Sequence, residues 1–292
     1  MMQTKWTLTV LLLFSLQAMA EGQVDQQEGG FHWKKTDHLK INKISSLDLQ
    51  REFNSRSNFR GLLGLGWCSE LEWSLIQIPA YSFLKKCDSF VPLAKEQVQT
   101  SGPLIKVELG AGGYLVFDDR GELRGLTDSA HKFWNLRASP GQIRGPKGQI
   151  LQLIRAKDTG ALNEIALGSQ TLLHFDYKLG QLSEVRFKHH LSELYSYDRF
   201  SNLTLVKIGN STTQIQYDDE RDLVAQVTDS QGCKLSYLYE SSAKDGFLID
   251  QVTELRRCGS RSATTKSQFQ YQIVSPNQVQ LKRSSFQNTG GL

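Results

Sequence analysis

"YSYDRFSNLTLVKIGNSTTQIQYDDERDLVAQVTDSQGCKLSYLYE", residues 195–240, repeats itself. Tyr197-Asp198 is followed by Tyr217-Asp218 and then by Tyr239-Glu240. Upstream, "HFDYKLGQLSEVRF" supplies Phe175-Asp176, so the aromatic-acid pairs recur 22, 20 and 22 residues apart. Leu182, Leu203 and Leu223 follow the first three acids, and Val185, Val206 and Val227 follow the leucines. A physical unit fits this grammar. The aromatic residue ends a strand and offers apolar area to a shared core. The acid suits a tight turn, because Asp accepts hydrogen bonds from backbone N–H groups two residues on. The next apolar run returns antiparallel, and Gly209-Asn210 or Ser230–Gly232 makes the second turn. One hairpin cannot bury its own face, so such units have to lie side by side.

The same reading extends outward. In "HLKINKISSLDLQREF" Leu39 and Ile41, then Leu47 and Leu49, fall two apart, as in a strand. "LEWSLIQIPAYSF" alternates through Leu71, Trp73 and Leu75, then changes phase at Ile76 and Ile78, which marks a bulge. "LIKVELGAGGYLVFDDRGEL" predicts a hairpin around Gly110–Gly113, and its Phe117-Asp118, Gly121 and Leu123 form an outlying copy of the repeat. The nearest approach to a helix is "PLAKEQVQ", two turns at most. The fold class is all-β: antiparallel hairpin repeats forming an open, curling sheet.

The ends and composition set the compartment. Lys5, the apolar "WTLTVLLLFSLQ" and "AMA" before Glu21 read as a signal peptide over 1–20. That apolar run is too short to span a membrane, and no cysteine at the cleavage point offers a lipid anchor. Polar, Gly-containing residues 21–38 predict a flexible mature N-terminus. A net charge of +4 without a basic stripe argues against a nucleic-acid partner. Four cysteines, Cys68, Cys87, Cys233 and Cys258, all follow the leader. An even count in an oxidising compartment favours disulfides over free thiols, and no Cys-x-x-Cys or suitably spaced histidine supports a metal site. Of three possible pairings, proximity favours Cys68–Cys87 and Cys233–Cys258, each stabilising by about 3 kcal/mol through chain entropy.

"REFNSRSNFRGLLGLGWCSELEW", residues 51–73, adds a second signature: Arg51, Phe53, Asn54, Ser55, then Gly61, Gly64, Gly66 and Trp67. In order and spacing it resembles the N-terminal module of the RHS family, with Phe53 where that family usually has Tyr. The downstream units resemble that family's YD repeat, although Ser201 and Arg221 stand where its turn glycine belongs. The resemblance spans about residues 40 to 287 and divides the chain into an N-terminal β module, 39–150, and YD-repeat hairpins, 151–292. It implies a spiral of hairpins, which in large members closes into a shell around a toxin. Arg51, Asn54 and Trp67 would fix strand register and cover the first turn of the spiral, with Cys68 pinning it to Cys87. The family's self-cleavage segment usually contains Asp-Pro, a dipeptide missing here, so neither cargo nor cleavage carries over.

Other candidates have a structural reading beside a chemical one. Gly-Leu-Leu-Gly-Leu-Gly at 61–66 has no following Lys-Ser/Thr or helix, so it permits turns rather than cradling phosphate. His189 and His190 would point to opposite faces of a strand, and His131 and His174 are isolated. Carboxylates at 117–119 and 217–220 suit turns better than calcium or acid–base work. Ser55, Ser57 and Ser69 lack a nucleophile elbow. Asn202 and Asn210 match glycosylation sequons, but the bacterial source that the family resemblance implies would make them simply turn residues. Tyr195, Tyr197, Tyr217, Tyr237 and Tyr239 suit core packing before sugar stacking. The expectation is an exported, non-enzymatic scaffold or binding module without a cofactor, periplasmic, at the outer surface or secreted. Its partner would be a protein or a carbohydrate, with self-association through an open sheet edge. A fragment of a toxin shell and a carbohydrate-active protein are the alternatives.

Overall fold

A computed structural model describes residues 22–25, 29–42, 45–110, 112–128, 130–136, 141–188, 192–218, 220, 222–244, 247–258, 261–275 and 278–288. The expected leader, and His189 and His190, lie outside the described residues. The protein is all-β, with antiparallel strands in three sheets and only two short 3-10 turns among the described residues.

A four-stranded sheet runs in the order Gly22–Val24, Phe31–Asn42, Ser45–Asn54, Trp67–Ser69. Alternation builds it: Leu47, Leu49, Arg51 and Phe53 of one strand all point inward. The preceding strand begins at Phe31, not Leu39, so the segment expected to be flexible is largely structured. The reason is that Phe31 and Trp33 are 0% and 3% exposed, and their burial outweighs the polar glycine-rich composition around them.

A second sheet has three strands, Ser74–Ile78, Tyr81–Lys86 and Ser89–Leu93. The helical reading of 92–99 reduces to a 3-10 turn, Lys95–Gln97, where Gln97 Oε1 accepts the Ala94 N–H at 2.9 Å.

The third sheet has 20 strands and is not closed into a barrel. Most of it is a meander from Val98–Ser101 to Gln278–Asn288, in which each strand pairs with the next. It runs without a break through the expected boundary at 150: Ile150–Arg155 pairs with Gln142–Arg144 on one side and Leu162–Leu167 on the other. A small hairpin from the N-terminal module, Arg60–Gly61 with Gly64–Leu65, joins this sheet where Gly64 pairs with Gln181.

The repeat has a structural mark. The register shifts just before Phe117, Arg155, Tyr177, Tyr197 and Tyr217, and the residues opposite are Leu123, Leu162, Leu182, Leu203 and Val224. Such bulges bend each hairpin and increase its twist. They also correct the alignment. Tyr177, not Phe175, is equivalent to Tyr197, and Val224, not Leu223, occupies the leucine position. Arg155 heads a unit that lacks the aromatic-acid pair, so its sequence concealed it. Tyr239 and Glu240 lie inside the strand Lys234–Lys244 rather than at a turn. One core joins all three sheets, with Trp67, Trp134, Phe31, Phe53, Phe117 and Phe175 among its fully buried side chains.

Candidate functional site

The chemistry-bearing residues converge where the N-terminal module sits on the repeat sheet. The sheet contributes a ladder of tyrosines. Tyr177 Oη donates to Leu162 O at 2.6 Å, Tyr197 to Leu182 O at 2.7 Å, Tyr217 to Leu203 O at 3.1 Å and Tyr239 to Val224 O at 3.0 Å. Each hydroxyl therefore reaches the carbonyl of the residue opposite the preceding unit's bulge. Burial raises Tyr177, Tyr197 and Tyr217 well above the ordinary phenol range, which keeps them protonated and able to donate.

The signature segment meets this ladder unit by unit. Leu62 O accepts from Leu162 N at 2.7 Å and from Tyr177 Oη at 3.2 Å. Trp67 Nε1 donates to Tyr197 Oη at 2.8 Å. Ser55 interacts with Tyr217 while its Oγ accepts Phe31 N at 2.9 Å, and Gly29 O accepts from Val224 N at 2.9 Å. Gly64 must be glycine: its φ is +90°, and a Cβ there would lie 2.7 Å from Gly180 O. Gly66, at φ +77°, makes room for the Phe53 ring. Gly61 lies against Glu72, whose Oε1 accepts Leu62 N at 2.6 Å and whose Oε2 accepts Ser69 N at 3.1 Å. Asn54 acts locally, with Oδ1 accepting Arg56 N at 2.8 Å and its N–H donating to Gly66 O at 2.9 Å. It shapes the turn and Trp67 makes the contact.

Arg51 is the electrostatic centre and is 2% exposed. Its Nε donates to Asp37 Oδ2 at 2.8 Å, Nη2 to Asp37 Oδ1 at 3.1 Å and Nη1 to Tyr195 Oη at 2.6 Å. Nη2 also donates to Glu193, which in turn accepts from Tyr195 at 2.7 Å. The guanidinium stands 5.4 Å from the Trp67 ring centroid and 5.7 Å from that of Tyr195. Burial works against its charge, but Asp37, Tyr195 and Glu193 outweigh that and raise its pKa. Lys35 Nζ lies 3.7 Å from Glu193 Oε1. The two acids could not be recognised from sequence, since neither belongs to the repeat.

Nearby Glu70 accepts Gln50 N at 2.9 Å, and burial, with Asp48 and Asp37 adding to it, lifts its carboxyl to about 7. The cavity beside Asp37, Arg51, Leu162 and Phe175 measures about 10 Å³, at or below the room a single water needs.

The repeat carboxylates make turns. Asp198 Oδ1 accepts Phe200 N at 2.8 Å and Asn202 N at 2.9 Å, and Asp218 Oδ1 accepts Glu220 N at 2.9 Å. Asp118 repeats this with Arg120 and Glu122, and so do Asp128 and Asp229, two turns that the aromatic-acid pattern missed. Asp176 departs from it: it sits within a strand, 2.7 Å from Arg186 Nη2 and 3.2 Å from His174 Nε2. Glu240 is exposed. Tyr195 and Tyr237 are buried, as a packing role requires. Asn202 is 2% exposed, its amide bonded to Asp198 at 3.1 Å.

The cysteines pair as Cys68–Cys87 and Cys233–Cys258. Cys68 is on the strand that pairs with Phe53 and Glu52, and Cys87 follows directly on the second strand of the three-stranded sheet, so this bond ties the two small sheets together. Among the described residues no three His, Cys, Asp or Glu side chains converge as metal ligands, and no helix is long and apolar enough to cross a membrane. No protein-family model matches the chain, and no curated protein matches it.

Proposed function

We propose that this chain is an exported, non-enzymatic β-scaffold of the RHS/YD-repeat type that serves as a binding module at the cell surface or in the secreted fraction. The observation that carries this reading is the seating of the 51–67 signature on the tyrosine ladder, at Leu62–Tyr177, Trp67–Tyr197 and Ser55–Tyr217. Two sequence features that resemble one family thereby occupy one junction. The carboxylates and tyrosines that suggested chemistry spend their hydrogen bonds on holding units together. Two disulfides suit an oxidising, extracytoplasmic environment. The partner would be a protein or a glycan recognised on the sheet.

Expression of the entire chain in a Gram-negative host tests the reading. The expected product lies outside the cytosol, begins at Glu21 and carries both disulfides in a non-reducing peptide map. Cytosolic protein with an uncut leader would sink the export claim. A glycan array with a parallel hydrolysis assay tests the rest: turnover of any glycan would overturn the non-enzymatic assignment.

A further inference from the structure

The three-stranded sheet packs part of one face, around Leu75 and Leu84, against the core and holds the other face in water. Leu75, Leu84 and Cys87 are buried on the inner side. Registers across the sheet are Ile78 with Tyr81, Ile76 with Phe83 and Pro92, and Ser74 with Lys85 and Phe90. Side chains alternate along a strand, so these eight residues share the outer face. Six of them are apolar or aromatic. Tyr81 is 65% exposed, Phe90 56% and Ile78 50%. The turn at the tip, Pro79-Ala80, is also exposed and apolar, where turns are normally polar. A contiguous patch of this kind marks an interaction surface.

Charge selects the occupant. From Ser74 to Leu93 the charged residues are Lys85, Lys86 and Asp88, and Asp88 lies in the turn at the end away from the Pro79-Ala80 tip, so Lys85 is the one charge among the eight outer-face residues. Lys86 lies 4.3 Å from the Trp73 ring centroid, toward the core. Lys85 stands on the outer face, 5.9 Å from the centroid of Phe90. Four residues separate Tyr81 from Lys85, a rise of about 13 Å in a strand. Interfacial segments bury their apolar side about 5–10 Å into the boundary between headgroups and acyl chains. The apolar tip therefore fills that boundary while the Lys85 ammonium stays at the level of the phosphates. A soluble sugar needs several hydrogen-bonding groups around its rings, and Tyr81 and Ser74 hold the only hydroxyls on this face. A second copy docked face to face would bury Lys85 against the same eight residues, none of which is a carboxylate.

We propose that this sheet docks the protein on an anionic lipid bilayer, with Ile78, Pro79, Ala80 and Tyr81 entering the interface and Lys85 meeting lipid phosphate. The inference does not rest on the export reading, because its test uses the purified, oxidised chain without its leader.

Co-sedimentation with phosphatidylcholine vesicles, with and without phosphatidylglycerol, is the test. The chain binds the anionic vesicles, and salt weakens that binding. The double variant Ile78→Ser, Tyr81→Ser lowers the partition constant about tenfold or more. Lys85→Glu removes the preference for phosphatidylglycerol. Leu179→Ser, which changes an apolar side chain 99% exposed on a turn of the repeat sheet, leaves binding unchanged. Hydrogen exchange on the unaltered chain provides a readout that needs no variant: vesicles protect the amides of residues 76–83. Failure to bind anionic vesicles overturns the proposal. So does binding that the tip variant leaves intact, or vesicle-independent dimers that the tip variant abolishes.

Discussion

Arg51 and Glu193 are hydrogen-bonded to each other inside the core, although 142 residues separate them in the chain. Arg51 belongs to the N-terminal module and Glu193 to the strand Ser192–Tyr197 of the repeat sheet. Both are buried, and Asp37 and Tyr195 complete the cluster. The pair holds the module in one position on the ladder, because a shift of either element would leave charge buried without a partner.

Arg51→Met should therefore cost about 3–5 kcal/mol, since buried Asp37 would lose its bidentate cation and buried Glu193 would keep only Lys35, 3.7 Å away. The triple variant Arg51→Met, Asp37→Leu, Glu193→Leu should recover much of that loss. Urea midpoints of the three proteins check this. Equal losses in the single and triple variants would show that packing, not charge, holds the junction.

Tyr197→Phe removes the acceptor of the Trp67 Nε1 proton and the donor to Leu182 O. Leaving those groups unsatisfied should cost about 1–3 kcal/mol. Tyr81→Phe, at an exposed position, should change stability by less than about 0.5 kcal/mol. Thermal midpoints recorded side by side separate the two cases.

Gly64→Ala puts a Cβ against the carbonyl of Gly180 in a left-handed backbone. Gly148→Ala has the same backbone problem at φ +79°, with nothing within 4 Å of the added carbon. The second variant should lose about 1–2 kcal/mol from backbone strain alone. The first should lose more, and proteolysis should become faster near the 60–65 hairpin. Equal losses would mean that the close approach contributes nothing.

Glu70 predicts a pH dependence. Its carboxyl is raised to about 7 in the folded chain, against an ordinary 4.5. Between those values the folded chain holds a proton that the unfolded chain has released. Glu70 therefore favours the folded state least at high pH: stability falls as pH rises from 4.5 through 7, by about 3 kcal/mol in all. Glu70→Gln keeps an acceptor for Gln50 N and removes the titration. The variant should gain on the wild type between about pH 5 and about pH 8 in urea unfolding. Parallel pH profiles would refute the assignment.

The sequence by itself determined the all-β class and the existence of a hairpin repeat, and it favoured, without fixing, the cysteine pairing that the structure shows. These are local properties. Alternation, an Asp two residues before an N–H, and nearby cysteines all act within one or two hairpins. The same locality explains the errors. Phe175-Asp176 matched the aromatic-acid grammar, yet the bulge falls before Tyr177, because the turn is Leu179-Gly180. Arg155 heads a unit with no aromatic-acid pair to reveal it. Phe31 and Trp33 looked like part of a loose terminus because the core they enter is built from residues far along the chain. The glycines of 61–66 were visible, but not that Gly64 faces Gly180. Only tertiary structure could choose Asp37 and Glu193 as the partners of Arg51. A buried cation needs acids at a fixed place in space, and nothing in the linear order of residues records which strands will bring them there.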